Sequence, residues 1–123
     1  MLDPHRPQSL RGRRILVVED DYLIADDLCD TLEAQGATVL GPVPSLVQAF
    51  ALLEARGQPD GAILDINLGG VMVYPLADAL LARGVPILFA TGYDLPALPP
   101  AYADVPHCEK PVDMSECIKA LIR

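Results

Sequence analysis

The sequence predicts one α/β domain built on a parallel five-stranded sheet. Short apolar runs alternate with longer segments whose apolar residues recur at helical spacing, a pattern typical of βαβ units. Residues 15–18 and 61–64 contain no charged residue, as expected for strands that are buried on both faces. A length of 123 residues with 51% hydrophobic residues suits one domain with a substantial core.

The first strand, residues 15–18, runs directly into three consecutive acids, Glu19, Asp20 and Asp21. Asp21 is a good N-cap for the helix that follows, because its carboxylate can accept bonds from the first free amides. Gly36 is expected to end this helix, since glycine readily adopts the left-handed conformation found after helices.

Residues 37–43 predict a second strand, and we expect it to lie at the edge of the sheet. Ser45 and Gln48 form a capping-box pattern that begins a second helix, and Gly57 follows its end. We expect three apolar residues of this helix to face the core: Leu46, Phe50 and Leu53.

The central strand ends at Asp65, directly after residues 61–64. A third helix is expected to begin near Pro75, which is tolerated in the first turn, and to stop at Gly84. A fourth strand, residues 86–90, then leads to Thr91.

Residues 93–103 contain Pro96, Pro99 and Pro100, which remove backbone donors and leave room for about one helical turn. We therefore expect the fourth helix of the alternating pattern to be reduced or absent. Residues 105–109 predict a fifth strand at the second edge, because Pro106 cannot donate to a ladder. A short final helix is expected to bury Ile118, Leu121 and Ile122.

We expect residues 1–13 to be a flexible leader and residues 14–123 to form the domain. The formal net charge of -8 argues against direct DNA binding, which requires a basic face. No run approaches the roughly 20 apolar residues of a membrane span, and no signal peptide is evident, so we expect a cytoplasmic protein without membrane insertion. The cysteines, Cys29, Cys108 and Cys117, are odd in number and scattered, so neither a disulfide nor a zinc site is expected.

Right-handed connections in a parallel sheet bring all carboxyl ends of the strands to one edge. That edge should collect Glu19, Asp20, Asp65, Thr91 and Lys110. Three clustered carboxylates repel one another, so they either bind protons or share a cation, and oxygen ligands with room for water suit Mg²⁺. A carboxylate, a hydroxyl and a lysine beside Mg²⁺ indicate phosphoryl chemistry, in which the carboxylate attacks phosphorus.

Four motifs in this order resemble those of a two-component response-regulator receiver domain, a module of bacterial phosphorelay signal transduction. They lie at residues 15–21, 64–68, 90–92 and 110–111. The resemblance covers residues 14–123 and implies a flavodoxin-like, doubly wound five-stranded parallel sheet with strand order 2-1-3-4-5.

The resemblance also implies a magnesium site and a phosphoacceptor. Asp65 would accept the phosphoryl group, and Asp20 and Asp65 would bind Mg²⁺ together with the backbone carbonyl of Asn67. Glu19 would assist through a water molecule.

The remaining roles concern the phosphoryl group and its readout. Thr91 would be the switch hydroxyl and Lys110 the phosphate partner, with a cis bond to Pro111. Tyr93, two positions after Thr91, is placed to cover the phosphoryl group and hinder an attacking water.

Residues 86–93 are similar to the signature of the FATGUY class of single-domain regulators, although this chain has Ile87 where the class has phenylalanine. Such a regulator acts by protein contact. Two departures from the receiver pattern stand out. His107 occupies the position of the usual switch aromatic residue, and we favour an ordinary strand-edge role for it. Gly69 and Gly70 stand where the family commonly has a proline, and we expect the two glycines to loosen the loop.

These observations predict a phosphorylation switch and not a turnover enzyme. The switch receives a phosphoryl group from a sensor histidine kinase or a histidine phosphotransfer protein. It signals to a downstream protein that the sequence does not identify. One alternative is a phosphatase resembling haloacid dehalogenases, with Asp65 as nucleophile. Those enzymes carry a second acid where this chain has Asn67, which disfavours that alternative. Another is a receiver-fold binding module that no longer accepts phosphate.

Overall fold

The structure is a computed structural model that describes residues 10–92, 98–109 and 121. Over these residues the chain alternates strands with helices and adds one small hairpin. The elements are β1 (Arg14–Val18), α1 (Tyr22–Ala34), β2 (Thr38–Val43), α2 (Leu46–Arg56), β3 (Gly61–Asp65), β4 (Asn67–Leu68), β5 (Val71–Met72), α3 (Tyr74–Ala82), β6 (Ile87–Thr91), a 3₁₀ turn (Pro100–Tyr102) and β7 (His107–Glu109).

The main sheet has the strand order β2-β1-β3-β6-β7, and every neighbouring pair is parallel. With the hairpin strands β4 and β5 set apart, this is the expected order 2-1-3-4-5. The two edges are β2 and β7, as the sequence predicts for its second and fifth strands. The fold is therefore the flavodoxin-like receiver fold.

Alternate residues of β1 belong to different hydrophobic clusters, so both faces of the sheet are covered. Leu16 and Val18 pack in a cluster with residues of α2 and α3. Ile15 and Val17 pack in a second cluster with residues of α1, such as Leu28. Burial of both faces of the sheet explains why residues 15–18 of β1 and 61–64 of β3 contain no charged residue.

Helix α1 begins where the sequence predicts. The Asp21 side chain accepts hydrogen bonds from the Leu23 and Ile24 amides at 2.9 and 3.1 Å. In α2, the Ser45 hydroxyl likewise accepts from the Gln48 amide at 3.2 Å. The Asp21 cap fixes the helix start directly beside the two acids that precede it.

Gly41 accommodates an irregularity in the edge strand β2. The β1–β2 register shifts between Leu16 and Val18. Gly41 has a φ of 104°, and a Cβ there would lie 2.9 Å from both the Val17 oxygen and the Val43 nitrogen. The irregularity brings the Val43 carbonyl to the Glu19 amide, a 3.0 Å hydrogen bond that ties down the segment after β1.

The packed domain begins earlier than residue 14. Leu10 is fully buried in the second cluster, and its amide donates to the Gln35 carbonyl at 3.0 Å. The Arg13 amide donates back to the Leu10 carbonyl at 2.8 Å. Leu10, which we expected to lie in the flexible leader, is therefore packed against the domain, because a tertiary contact that the local pattern does not reveal holds it.

Two other expectations need correction. Phe50 is 40% exposed and does not face the core as expected, whereas Ala49 and Leu53 of the same helix are buried. Cys108 is disulfide-bonded, although no disulfide was expected. The predicted final helix also falls outside them, apart from Leu121, which is fully buried.

In the described part of the chain, none of the helices has the length and apolar character needed to cross a bilayer.

Candidate functional site

Three carboxylates converge at the carboxyl edge of the sheet. One oxygen from each of Glu19, Asp20 and Asp65 lies within 4.8 Å of the others. Glu19 and Asp20 follow β1, and Asp65 ends the neighbouring strand β3. The parallel topology thus brings together the three acids that the sequence assigned to one crevice.

The three acids differ in exposure. Glu19 is buried at 4% exposure, and its Oε2 accepts a hydrogen bond from the Asp21 amide at 3.1 Å. Asp20 is exposed. Asp65 is buried at 7% exposure, and its Oδ1 accepts from the Asn67 amide at 3.3 Å. The Asn67 amide therefore holds one oxygen of Asp65, while Asp20 is open to solvent.

The donor set fits a hard divalent cation. All three groups offer carboxylate oxygens, and among the residues that the structure describes no histidine or cysteine belongs to the cluster. Oxygen-only sites of few protein ligands with an open, solvated side are typical of Mg²⁺. The residues present therefore suit Mg²⁺, and Glu19, Asp20 and Asp65 are the acids that could hold it.

Thr91 ends β6, the strand next to β3, and is buried at 1% exposure. Asp65 pairs with Ala90 in the β3–β6 register, so Thr91 lies one residue beyond the level of the carboxylate. The Thr91 hydroxyl donates to the Cys108 carbonyl at 3.2 Å. The structure thus places this hydroxyl at the functional edge, with its hydrogen bond directed to β7.

The segment after Asp65 is a hairpin that the sequence did not predict. Asn67 pairs with Met72 and Leu68 with Val71, in antiparallel register. Gly69 and Gly70 form the turn with φ values of 63° and 97°, which suit a type I′ turn. The expectation that the two glycines loosen this loop is therefore wrong. Their positive φ values permit the tight turn that two-residue hairpins prefer.

Three predicted site residues, Tyr93, Lys110 and Pro111, lie outside the described residues. His107 is exposed on the edge strand β7, opposite Phe89 in the register. Its place is that of an ordinary strand-edge residue, and its part in switching remains a prediction.

The prolines of residues 93–103 do not prevent local order near their carboxyl end. In the described part of this segment the chain makes one 3₁₀ turn, in keeping with the predicted room for about one turn. Tyr102 in this turn is buried, stacks on Tyr74 with ring centroids 4.7 Å apart, and meets Phe89 edge-on. Its hydroxyl donates to the Asp78 carboxylate at 2.5 Å.

This aromatic group was missed because its members are far apart in sequence. Residues 98–102 carry no periodic apolar pattern that would mark Tyr102 as a core residue. The hydrogen bond to Asp78, followed by burial, raises the pKa of Tyr102 to about 12. The contact anchors the crossover before β7 onto α3, the helix that follows the hairpin.

No family profile matches the sequence, and no curated protein matches it either. Several solved structures do. SdrG from Sphingomonas melonis Fr1 is 39% identical with a TM-score of 0.79, covering 94% of this chain and 98% of SdrG. The BeF3-activated conformation of SdrG from Pseudomonas melonis Fr1 is 38% identical with a TM-score of 0.74, covering 89% and 96%.

The receiver domain of the hybrid histidine kinase CckA is 25% identical with a TM-score of 0.71, covering 89% of this chain and 99% of that domain. The similarity to SdrG extends over nearly all of both chains. The fold, the strand order and this identity together show that the chain belongs to the response-regulator receiver domains.

Proposed function

We propose that this protein is a phosphorylation switch that accepts a phosphoryl group on Asp65 in the presence of Mg²⁺. The observation that carries the proposal is the position of Asp65. It is a buried carboxylate at the end of the central strand, with two further carboxylates within 4.8 Å. A nucleophilic acid beside a set of hard cation ligands is the arrangement that aspartyl phosphorylation requires.

In the proposed transfer, an Asp65 oxygen attacks the phosphorus of a phosphohistidine. The phosphorus–nitrogen bond breaks, and its electron pair returns to the imidazole, which leaves the site. The product is an aspartyl phosphate, and water later attacks its phosphorus and releases the Asp65 carboxylate. Mg²⁺, when bound, neutralises charge on the phosphoryl oxygens.

The residues around Asp65 have separate parts in this proposal. The Asn67 amide holds one oxygen of Asp65 and so orients the other for attack. Asp20 and Asp65 hold the cation with the Asn67 carbonyl, while Glu19 acts through water. Lys110 pairs with the phosphoryl oxygens, and Tyr93 shields them from water. Thr91 would give up its hydrogen bond to Cys108 on contacting the phosphoryl group, and this loss would transmit phosphorylation to β7.

The partners follow from this chemistry. We propose a sensor histidine kinase or a histidine phosphotransfer protein as the donor and a protein contact as the output. The similarity of residues 86–93 to the FATGUY signature supports a single-domain regulator, and we propose that this regulator acts in the cytoplasm. The relative SdrG has a BeF3-activated conformation, which supports activation of this chain by the same phosphoryl mimic.

Incubation with acetyl phosphate and Mg²⁺, followed by intact-mass spectrometry, tests the proposal. Wild type should gain the mass of one phosphoryl group, and EDTA should prevent the gain. Asp65→Asn should gain nothing, whereas Asp26→Asn, which removes an exposed acid of α1, should behave like wild type. Labelling of Asp65→Asn to the wild-type extent would refute the assignment. A wild type that stays unlabelled would favour a binding module.

A further inference from the structure

The hairpin of β4 and β5 lies beside two members of the acid cluster, Asp65 and Asp20. The Asn67 amide donates to Asp65 Oδ1 at 3.3 Å, while Asn67 Oδ1 accepts from the Gly70 amide at 2.6 Å. At the turn, a Cβ on Gly69 would lie 3.8 Å from Asp20 Oδ2. One residue, Asn67, therefore contacts the phosphoacceptor through its backbone and closes the turn beside Asp20 through its side chain.

The hairpin register determines which way the Asn67 backbone faces. In a two-residue hairpin, the pair that flanks the turn, here Leu68 with Val71, exchanges backbone hydrogen bonds. The Val73 amide donates to the Ile66 carbonyl at 2.9 Å, which marks the next bonded pair. Asn67 and Met72 lie between these pairs, so the backbone groups of Asn67 point away from β5.

Within an extended strand, the amide and the carbonyl of one residue point to the same side. The Asn67 amide donates to Asp65, so the Asn67 carbonyl lies on the same side of the strand as that amide. Under the proposed function this carbonyl is a ligand of Mg²⁺. The position of this carbonyl depends on the hairpin. A hairpin with two residues in each strand is too short to be stable without additional contacts.

We propose that the Asn67 side chain is a positioning group for the metal site: by accepting the Gly70 amide it closes the Gly69–Gly70 turn and holds the Asn67 carbonyl toward Asp20 and Asp65. The inference rests on the proposed function, since it concerns the same cation. It adds a role for the side chain of Asn67, which was expected to contribute only its backbone carbonyl. Gly69 and Gly70 are then required by the site, because their positive φ values allow the turn that the side chain caps.

The test compares Mg²⁺ affinity, with the metal alone, in three proteins. Asn67→Ala removes the acceptor and should weaken Mg²⁺ binding about tenfold. This is the lower end of the loss seen when a residue that orients a metal ligand is removed. Asn67→Ser keeps a shorter uncharged acceptor and should restore part of the affinity, since serine caps turns more weakly. Gln48→Ala removes a comparable local contact at the start of α2 and should leave the affinity unchanged.

A second readout separates positioning from folding. Hydrogen exchange of the Gly70 amide should accelerate in Asn67→Ala without Mg²⁺, while the amides of β3 stay protected. Phosphorylation of this variant by acetyl phosphate should approach the wild-type rate at saturating Mg²⁺, because the nucleophile is intact.

The outcomes distinguish the two claims. If wild type binds Mg²⁺ and Asn67→Ala binds it equally well, the positioning role is overturned while the proposed function stands. A lower melting temperature with unchanged Mg²⁺ affinity would likewise overturn it in favour of a purely structural turn. If wild type itself binds no Mg²⁺, the proposed function fails, and the inference fails with it.

Discussion

The hydroxyl of Thr91 donates a hydrogen bond to the backbone carbonyl of Cys108, 3.2 Å away on the neighbouring strand β7. Thr91 ends the strand beside Asp65, and Cys108 is buried in an edge strand. A threonine that turns to contact a phosphoryl group on Asp65 must give up this bond. Under the proposed function, this contact therefore links the chemistry at Asp65 to the edge strand β7.

Replacing Thr91 with valine keeps the shape of the side chain but removes the donor. Because the Cys108 carbonyl loses a buried partner, we expect Thr91→Val to lower the free energy of unfolding by about 1 kcal/mol. Thr91→Ser retains the hydroxyl and should keep most of the response to beryllofluoride, measured as the change in the Cys108 amide chemical shift. A full response in Thr91→Val would contradict the switch role.

Replacing Asp65 with asparagine should stabilise the metal-free protein. The change keeps an oxygen for the Asn67 amide and removes one of three clustered charges, so we expect a gain of about 1 kcal/mol in EDTA. Adding Mg²⁺ should stabilise wild type more than the mutant, because binding to the folded state adds stability. Urea unfolding with and without Mg²⁺ measures both effects, and a less stable mutant in EDTA would count against a crowded acidic site.

The sheet and the acid cluster were predictable because both depend on local pattern. Apolar runs ending in Glu19, Asp20 and Asp65 identify buried strands with acids at one end, and parallel topology then determines where those ends meet. The burial of Leu10 and Tyr102 was not predictable in this way. Each depends on a partner distant in sequence, such as Asp78 for Tyr102.

The hairpin after Asp65 was missed for a different reason. Its strands have two residues each, so no alternating pattern can be recognised, and two adjacent glycines are compatible with either a loose loop or a tight turn. The deciding contact is the hydrogen bond from the Gly70 amide to Asn67 Oδ1. An asparagine followed three residues later by the second of two glycines is a signal that could have indicated a capped turn.

The Tyr102 contact should make stability depend on pH in alkaline solution. The Asp78 hydrogen bond, then burial, raises the pKa of Tyr102 to about 12 from its ordinary value of 10.0. Its stabilising effect is therefore fully present below pH 10 and is lost as the pH rises toward 12. We expect Tyr102→Phe to cost about 1 kcal/mol at pH 8 and progressively less above pH 10.

Urea unfolding of both proteins at pH 8 and pH 11 measures this dependence. Tyr22→Phe is the matched control, because Tyr22 is 86% exposed and should show no such dependence. A constant difference between wild type and Tyr102→Phe across this pH range would show that the hydrogen bond to Asp78 does not matter.

The crossover between Thr91 and β7 is a candidate for the output of the switch. The backbone hydrogen bonds of its described part span only a few residues, such as those from the Tyr102 amide to the Pro99 carbonyl and from the Ala103 amide to the Pro100 carbonyl, and the Tyr102 side chain anchors it to α3. Because the segment follows Thr91 directly, we expect beryllofluoride to change the hydrogen exchange of amides in residues 93–103. Equal protection in both states, with changes elsewhere, would assign the output to another surface.

The most direct measurement is chemical trapping of the phosphorylated residue. Borohydride reduces an aspartyl phosphate to homoserine, so peptide mass spectrometry after treatment with acetyl phosphate, Mg²⁺ and borohydride identifies the residue that carried the phosphoryl group. We predict homoserine at position 65 in wild type and none in protein treated with EDTA. Homoserine at another position such as 20, or an unmodified position 65 in protein that has gained phosphoryl mass, would contradict the assignment of Asp65.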